Sequence, residues 1–130
     1  MGSDHRVDRQ GLIAALLLTI GLCGGNAAAG QADVLGAQIE RNPDGTFKLA
    51  VTVRHADSGW SHYADRWEVI GPQGETLATR VLLHPHIKEQ PFTRSLDAVK
   101  IPRYATWVKI RAHDSKHGHG GREVTLSVRH

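Results

Sequence analysis

The chain has 130 residues, a formal net charge of +3, one cysteine and one methionine. This length suits one domain with a single core, and no run of lysine and arginine marks a nucleic-acid-binding face. The cysteine is Cys23 and the methionine is Met1, so the chain after residue 29 offers neither a disulfide nor a sulfur ligand for copper. We therefore expect one disulfide-free domain with no nucleic-acid partner.

The first 29 residues are predicted to be a cleavable signal peptide. Arg6 and Arg9 precede an apolar run over residues 11–25, and Ala27 and Ala29 supply the small residues of a cleavage site. Cleavage after Ala29 fits best, and cleavage after Ala32 is the alternative. An uncleaved anchor is a further alternative, but the run is shorter than the ~20 residues that span a bilayer. We expect no stable membrane anchor after cleavage.

Cys23 raises the question of lipid attachment. A lipid-modified cysteine needs a small residue immediately before it, and Leu22 stands at that position. We therefore assign Cys23 to the apolar run that is discarded. The expected product is a periplasmic or secreted domain over residues 30–130.

From residue 34 onward, short runs rich in β-branched and aromatic residues alternate with clusters of Gly, Pro, Asn and Asp. Residues 47–54 form the clearest half-buried strand, because Phe47, Leu49, Val51 and Val53 occupy alternate positions. The pattern predicts an all-β domain. The predicted strands cover residues 34–40, 47–54, 67–70, 76–83, 92–99, 106–112 and 124–128.

Seven short strands separated by turns predict an antiparallel β-sandwich. The pattern resembles the immunoglobulin and fibronectin type III families. Trp67 on the third strand corresponds to their core tryptophan, and Tyr104 before the sixth strand to the tyrosine corner. The resemblance implies a seven-stranded antiparallel immunoglobulin-like β-sandwich. An eight-stranded barrel or a jelly roll is the alternative fold.

A second resemblance concerns three longer stretches, residues 55–69, 81–96 and 110–121. They are similar to stretches of small secreted bacterial proteins of unknown function. This resemblance attaches no activity to the chain, and nothing is carried over from it.

Histidine is distributed unevenly along the chain. Of the nine histidines, eight follow residue 29, and seven of those lie within residues 55–65, 84–90 and 113–121. If the chain reverses after every strand, these segments are the second, fourth and sixth connections and lie at one end of the sandwich. Loops gathered at one end form a composite surface. We therefore expect the functional site there.

The histidines predict a metal site at this loop end. Neutral imidazole is the commonest nitrogen ligand, and a nearby carboxylate can fix its tautomer. Without sulfur ligands, Zn(II), Cu(II) or Ni(II) suits the site, and we expect non-catalytic binding. The candidate ligands are His84, His86, His113, His117 and His119, with His55, His62 and Asp114 as further ligands or supporting groups.

A protein- or carbohydrate-binding module is the alternative function for the same surface. Trp60 and Tyr63 lie in the first histidine-containing segment, and aromatic side chains beside polar groups suit a periplasmic or extracellular protein or a glycan. Trp67 and Trp107 are expected in the core, so Trp60 is the tryptophan expected to be exposed.

An enzyme is the third interpretation. Ser58, Ser61 and Ser115 lie near histidines and aspartates, as in a hydrolytic triad. The sequence contains no nucleophile elbow, no H-E-x-x-H motif and no paired carboxylates at an informative spacing. We therefore expect a domain without catalytic residues.

Overall fold

The computed structural model describes residues 30–130. The predicted signal peptide, residues 1–29 with Cys23, lies outside the described residues. Residues 30–130 form seven β-strands and no helix, so this part of the chain has no helix that could cross a membrane.

The seven predicted strands are confirmed, with ends shifted by a few residues. Each contains β-branched residues, and several also contain aromatic residues, which pack well on a pleated surface. The strands are β1 (Asp33–Arg41), β2 (Phe47–Arg54), β3 (Ala64–Ile70), β4 (Thr76–Val81), β5 (Phe92–Val99), β6 (Trp107–Asp114) and β7 (Val124–Ser127).

The strands form two antiparallel sheets. One sheet has three strands in the order β1-β2-β5, and the other has four in the order β4-β3-β6-β7. Each neighbouring pair is antiparallel. The predicted all-β class is therefore correct.

A single hydrophobic core takes side chains from both sheets. Along β2 the alternate residues Phe47, Leu49, Val51 and Val53 are buried, as the period-two pattern predicted. Trp67 of β3 is also fully buried, as predicted. The four-stranded sheet further contributes Val69, Val108, Ile110 and Ala112.

Two aromatic side chains differ from their predicted positions. Trp107 was expected in the core, but it is 40% exposed because Val108, Ile110 and Ala112 occupy the inward positions of β6. Tyr104 was expected to form a tyrosine corner by bonding backbone. Instead it is exposed, and its hydroxyl donates a hydrogen bond to the Glu75 carboxylate. Both predictions are wrong.

The ends of β3 and β6 extend further toward the loop end than predicted. β3 begins at Ala64 and β6 continues to Asp114, so His113 and Asp114 lie on a strand. In the β3–β6 register Ala64 faces Asp114, and Arg66 faces His113. This pairing places Asp114 on β6, at the edge of the sheet where the loop end begins.

A cluster of charges covers the outer face of the four-stranded sheet. Glu68 of β3 accepts hydrogen bonds from Arg66 Nε at 2.8 Å and from Arg111 Nε at 2.7 Å. Burial alone would raise the pKa of Glu68. The two guanidinium groups outweigh that effect and lower the pKa to about 2.

Leu49→Ala tests the core against a matched exposed leucine. Leu49 is fully buried, so its truncation should lower the free energy of unfolding by about 2–5 kcal/mol. Leu83→Ala is the control, because Leu83 is 74% exposed and its truncation should change stability by less than about 0.5 kcal/mol. Urea denaturation measures both, and equal effects would contradict this assignment of the core.

Glu68→Gln tests the charge cluster. Since the folded pKa of Glu68 lies below the ordinary value of 4.5, its charge stabilises the fold fully above pH 4.5. That contribution, about 3 kcal/mol by linkage, disappears as the pH falls toward 2. The stability difference between wild type and Glu68→Gln should therefore shrink over this range.

The matched control is Glu123→Gln, directly before β7 of the same sheet. Glu123 forms a partly exposed ion pair with Lys109 at 3.4 Å, so this variant should differ from wild type by less than about 1 kcal/mol. A Glu68→Gln effect of the same size at pH 2 and pH 7 would contradict the prediction.

Candidate metal centre

Three loops pack against one another at one end of the two sheets. They are the β2–β3 loop (residues 55–63), the β4–β5 loop (82–91) and the β6–β7 loop (115–123). The His86 amide donates to Asp57 Oδ2 at 2.6 Å, which joins the first loop to the second. The Tyr63 amide donates to Ser115 Oγ at 3.0 Å, which joins the first to the third.

A group of imidazoles and a carboxylate converges where the first and third loops meet. Asp114 Oδ2 lies 3.4 Å from His55 Nε2, 3.0 Å from His62 Nε2 and 4.0 Å from His117 Nε2. We call His55, His62, His117 and Asp114 the three-histidine cluster. Within it, the ligand atoms of His55, His62 and Asp114 all lie within 4.8 Å of one another and could hold a metal ion.

The spacing of these atoms suits a metal ion. Nitrogen and oxygen ligands at about 2.0–2.2 Å from one tetrahedral ion lie roughly 3.3–3.5 Å apart. The separations from Asp114 Oδ2 to His62 and His55 lie close to that value. His117 Nε2 lies further from Asp114 Oδ2, at 4.0 Å. The donor set and the spacing therefore fit a divalent transition metal.

His117 reaches the cluster through a tight turn after β6. The Asp114 amide donates to the Gly118 carbonyl at 2.9 Å, and the Gly118 amide donates back to the Asp114 carbonyl at 2.8 Å. Gly118 has φ +74°, a conformation that glycine adopts readily. The turn folds His117 back so that its ring packs edge-to-face on His62 at 4.9 Å.

Asp57 orients His55. The Asp57 carboxylate is fully buried and accepts a hydrogen bond from His55 Nδ1 at 2.5 Å. Its oxygens also accept hydrogen bonds from the Ala64 and His86 amides. With the proton held on Nδ1, the lone pair of His55 Nε2 points toward Asp114. A carboxylate bonded to the remote nitrogen of a metal-binding histidine is a recurrent feature of metal sites.

Acceptor groups meet at His55 Nε2. When His55 carries its proton on Nδ1, its Nε2 is an acceptor, and the Asp114 Oδ2 and Gly30 carbonyl oxygens that face it are acceptors too. Lone pairs that face one another in a buried site repel unless a cation lies between them.

Asp114 is fully buried yet favours its ionised form. Burial would raise the pKa of Asp114, but hydrogen bonds from the Lys116 amide and from His62 outweigh that effect and hold the pKa below its ordinary value. Asp114 is therefore negatively charged at neutral pH, as a metal-binding carboxylate must be.

His113 and His119 form a separate pair on the outer face of the four-stranded sheet. Their rings pack edge-to-face at 4.9 Å. His113 Nδ1 lies 2.7 Å from Asp65 Oδ1, and His119 Nε2 lies 3.0 Å from Glu68 Oε1. Burial, followed by the nearby Arg111 charge, lowers the pKa of His119. These two imidazoles thus have carboxylate partners of their own.

His84 and His86 form a third group, in the β4–β5 loop. Their ring centroids are 4.7 Å apart, and the His86 ring stacks on Phe92 at 4.0 Å. His86 is buried, and neither of its ring nitrogens has a hydrogen-bond partner within residues 30–130. Burial and then the charge of Arg94 lower the pKa of His86, which favours the neutral ring.

The structure thus divides the predicted ligands among three places. His55, His62, His117 and Asp114 come together, whereas His113 and His119 lie on the sheet face and His84 and His86 lie in the β4–β5 loop. The remaining histidine, His130, packs on Phe47 and contacts the Ala105 carbonyl, away from these groups.

The predicted binding aromatics lie in the first loop. Trp60 is 68% exposed, as expected, and its ring packs edge-to-face on Tyr63 at 5.6 Å. Val81, Leu83 and Ile87 are also exposed.

The Gly30 carbonyl is a group at the site that sequence reasoning missed. Its oxygen lies 3.1 Å from both His55 Nε2 and His62 Nε2. No sequence pattern marks a backbone carbonyl as a ligand. The one available signal was the position of Gly30 directly after the predicted cleavage site.

No protein-family model matches the chain, and no solved structure matches it. The chain is similar to a protein of Halomicrobium mukohataei named "Putative lipoprotein", with 35% identity over 98 residues. The similar region covers 75% of this chain and 48% of that protein, so the chain spans about half the length of the curated relative that it matches. The name of that protein specifies neither a ligand nor an activity.

Proposed function

We propose that this chain is an exported, non-catalytic domain that binds one divalent transition metal ion at the three-histidine cluster. The observation that carries the proposal is the convergence of His55, His62 and Asp114 ligand atoms within 4.8 Å. Zn(II), Cu(II) and Ni(II) are the candidates, because imidazole and carboxylate ligands suit all three. Metal storage, delivery or sensing would follow from such binding.

The surroundings of the cluster support this proposal. His55, Asp57 and Asp114 have fully buried side chains, and two of these are acids. Two buried carboxylates around one imidazole are costly unless a positive charge balances them. A bound metal ion supplies that charge, and Asp57 already holds the His55 ring in the ligand tautomer.

Export is the second part of the proposal. A charged segment, an apolar run and the small residues before Gly30 form a secretory signal, and the relative carries a name that denotes an envelope protein. Both observations favour the cell envelope or the medium, and we propose the periplasm or secretion.

The fold is proposed to be an immunoglobulin-like or fibronectin type III-like sandwich. The division into β1-β2-β5 and β4-β3-β6-β7 supports this proposal, with Trp67 buried in the core. In immunoglobulin constant domains the fourth strand lies in the sheet of the first two strands. Here β4 pairs with β3 instead.

An interaction module remains a second candidate, favoured by the exposed Trp60 ring beside Tyr63. A sugar ring stacked on Trp60 would change tryptophan fluorescence. Titration with defined oligosaccharides should then give a saturable change that Trp60→Ala abolishes. Absence of any saturable change would exclude glycans of the tested set.

Calorimetric titration of the untagged, processed protein with Zn(II), Cu(II) and Ni(II) at pH 7.5 tests the proposed function. We expect one ion per chain for at least one of these metals. Binding should weaken at pH 5.5, because protons compete with the metal for imidazole nitrogen. Weak heats without a defined stoichiometry for all three metals would overturn the proposal.

His62→Ala and Asp114→Asn locate the site in the same titration. Mutation of residues that hydrogen-bond to metal ligands typically lowers metal affinity about 10–100-fold. Removal of a ligand itself should lower the affinity at least as much. His130→Ala is the matched control, because His130 lies elsewhere and should leave affinity unchanged. His84→Ala tests whether the metal binds in the β4–β5 loop instead of the three-histidine cluster. A larger loss in His84→Ala than in His62→Ala would place the metal in that loop.

Asp57→Asn tests the support of His55. The neutral amide oxygen of asparagine accepts a hydrogen bond from His55 Nδ1 more weakly than the carboxylate does. Metal affinity should therefore fall about 10–100-fold. Because Asp57 also accepts two backbone hydrogen bonds, circular dichroism and thermal unfolding must show that the variant is folded. A folded variant with unchanged affinity would contradict this role for Asp57.

A further inference from the structure

The backbone of Gly30 lies against all three imidazoles of the three-histidine cluster. Its carbonyl oxygen lies 3.1 Å from His55 Nε2 and 3.1 Å from His62 Nε2. A Cβ atom at this position would lie 3.2 Å from His117 Nε2. The close approach thus suits a residue without a side chain, which is what the sequence provides.

The residues after Gly30 fix its position. Ala32 is 1% exposed and belongs to the core, and the Asp33 carboxylate accepts a hydrogen bond from the Arg122 amide at 2.7 Å. The Val34 amide donates to the Arg122 carbonyl at 2.8 Å. The chain is therefore anchored from Ala32 onward, two residues beyond the exposed Gly30.

Signal cleavage would change the chemistry of Gly30. Cleavage after Ala29, the better of the two predicted positions, makes Gly30 the first residue and turns its amide nitrogen into a free α-amine. The amine and the carbonyl oxygen of one residue can bind the same ion in a five-membered chelate ring. An amide nitrogen still bonded to Ala29 is a poor ligand at neutral pH, because its lone pair is delocalised.

We infer that Gly30 is the amino-terminal residue of the mature protein and that its α-amine and carbonyl oxygen bind the metal of the three-histidine cluster. The inference rests on the proposed function, and it narrows the choice of metal ion. An amine added to imidazole and oxygen ligands gives a nitrogen-rich set that suits tetragonal Cu(II) or Ni(II). The metal site is then complete only after export and cleavage.

Two forms of the full chain, expressed for export and purified after processing, test the inference. One is wild type. The other has an extra alanine inserted between Ala29 and Gly30, so that cleavage after Ala29 leaves the amine one residue away from Gly30. The intact mass of each protein shows where its mature chain begins. Cu(II) calorimetry and electron paramagnetic resonance then compare affinity and the donors in the Cu(II) plane.

We expect wild type to begin at Gly30 and to bind Cu(II) about 10-fold or more tightly than the insertion variant. The Cu(II) spectrum should also differ between them, because a nitrogen donor is lost. Equal affinity and identical spectra would overturn the role of Gly30 while leaving the proposed function intact. Loss of Cu(II), Zn(II) and Ni(II) binding in both proteins would instead overturn the proposed function.

The intact mass is a separate test of the first residue. A mature chain that begins at Asp33 would lack both Gly30 and the buried Ala32, and a chain that begins at a lipid-modified Cys23 would keep Gly30 as an internal residue. Either mass would overturn the inference.

Discussion

The buried carboxylate of Asp57 links the packing of the loops to the chemistry of the cluster. One oxygen accepts the Nδ1 proton of His55 and the amide of Ala64, and the other accepts the amide of His86. These bonds join the β2–β3 loop to the start of β3 and to the β4–β5 loop. A buried acid is costly unless its hydrogen-bonding capacity is satisfied, and here three donors satisfy it. The Asp57 carboxylate therefore stabilises the loop end and also orients the His55 imidazole so that its Nε2 faces Asp114.

The rest of the site depends on the register between β3 and β6. Ala64 pairs with Asp114, which carries the Asp114 carboxylate into the space between the first and third loops. Asp114 then faces His55 and His62 of one loop and His117 of the other. A shift of one residue would turn Asp114 to the other face of the sheet, because side chains alternate along a strand. The core that fixes this register thus also fixes the geometry of the three-histidine cluster.

The three histidine groups differ in their electrostatic surroundings. His113 and His119 each face a carboxylate that lies on the sheet, and Glu68 is already neutralised by two arginines. His86 is neutral and packs on Phe92. Around the three-histidine cluster, two buried carboxylates face imidazoles and no arginine or lysine side chain pairs with either of them in residues 30–130. This arrangement could hold a metal ion.

The sequence by itself determined the all-β class, the seven strands and most of the core, because a period-two pattern is local and records which face of a strand is buried. It also identified the histidine-rich loops, since their spacing between strands is visible along the chain. Only the tertiary structure decided which histidines converge. Asp114 and His62 are 52 residues apart, and Gly30 and His55 are 25 apart, so their meeting depends on strand register and loop packing. Tertiary packing also explains the outward positions of Trp107 and Tyr104, because other side chains fill the core.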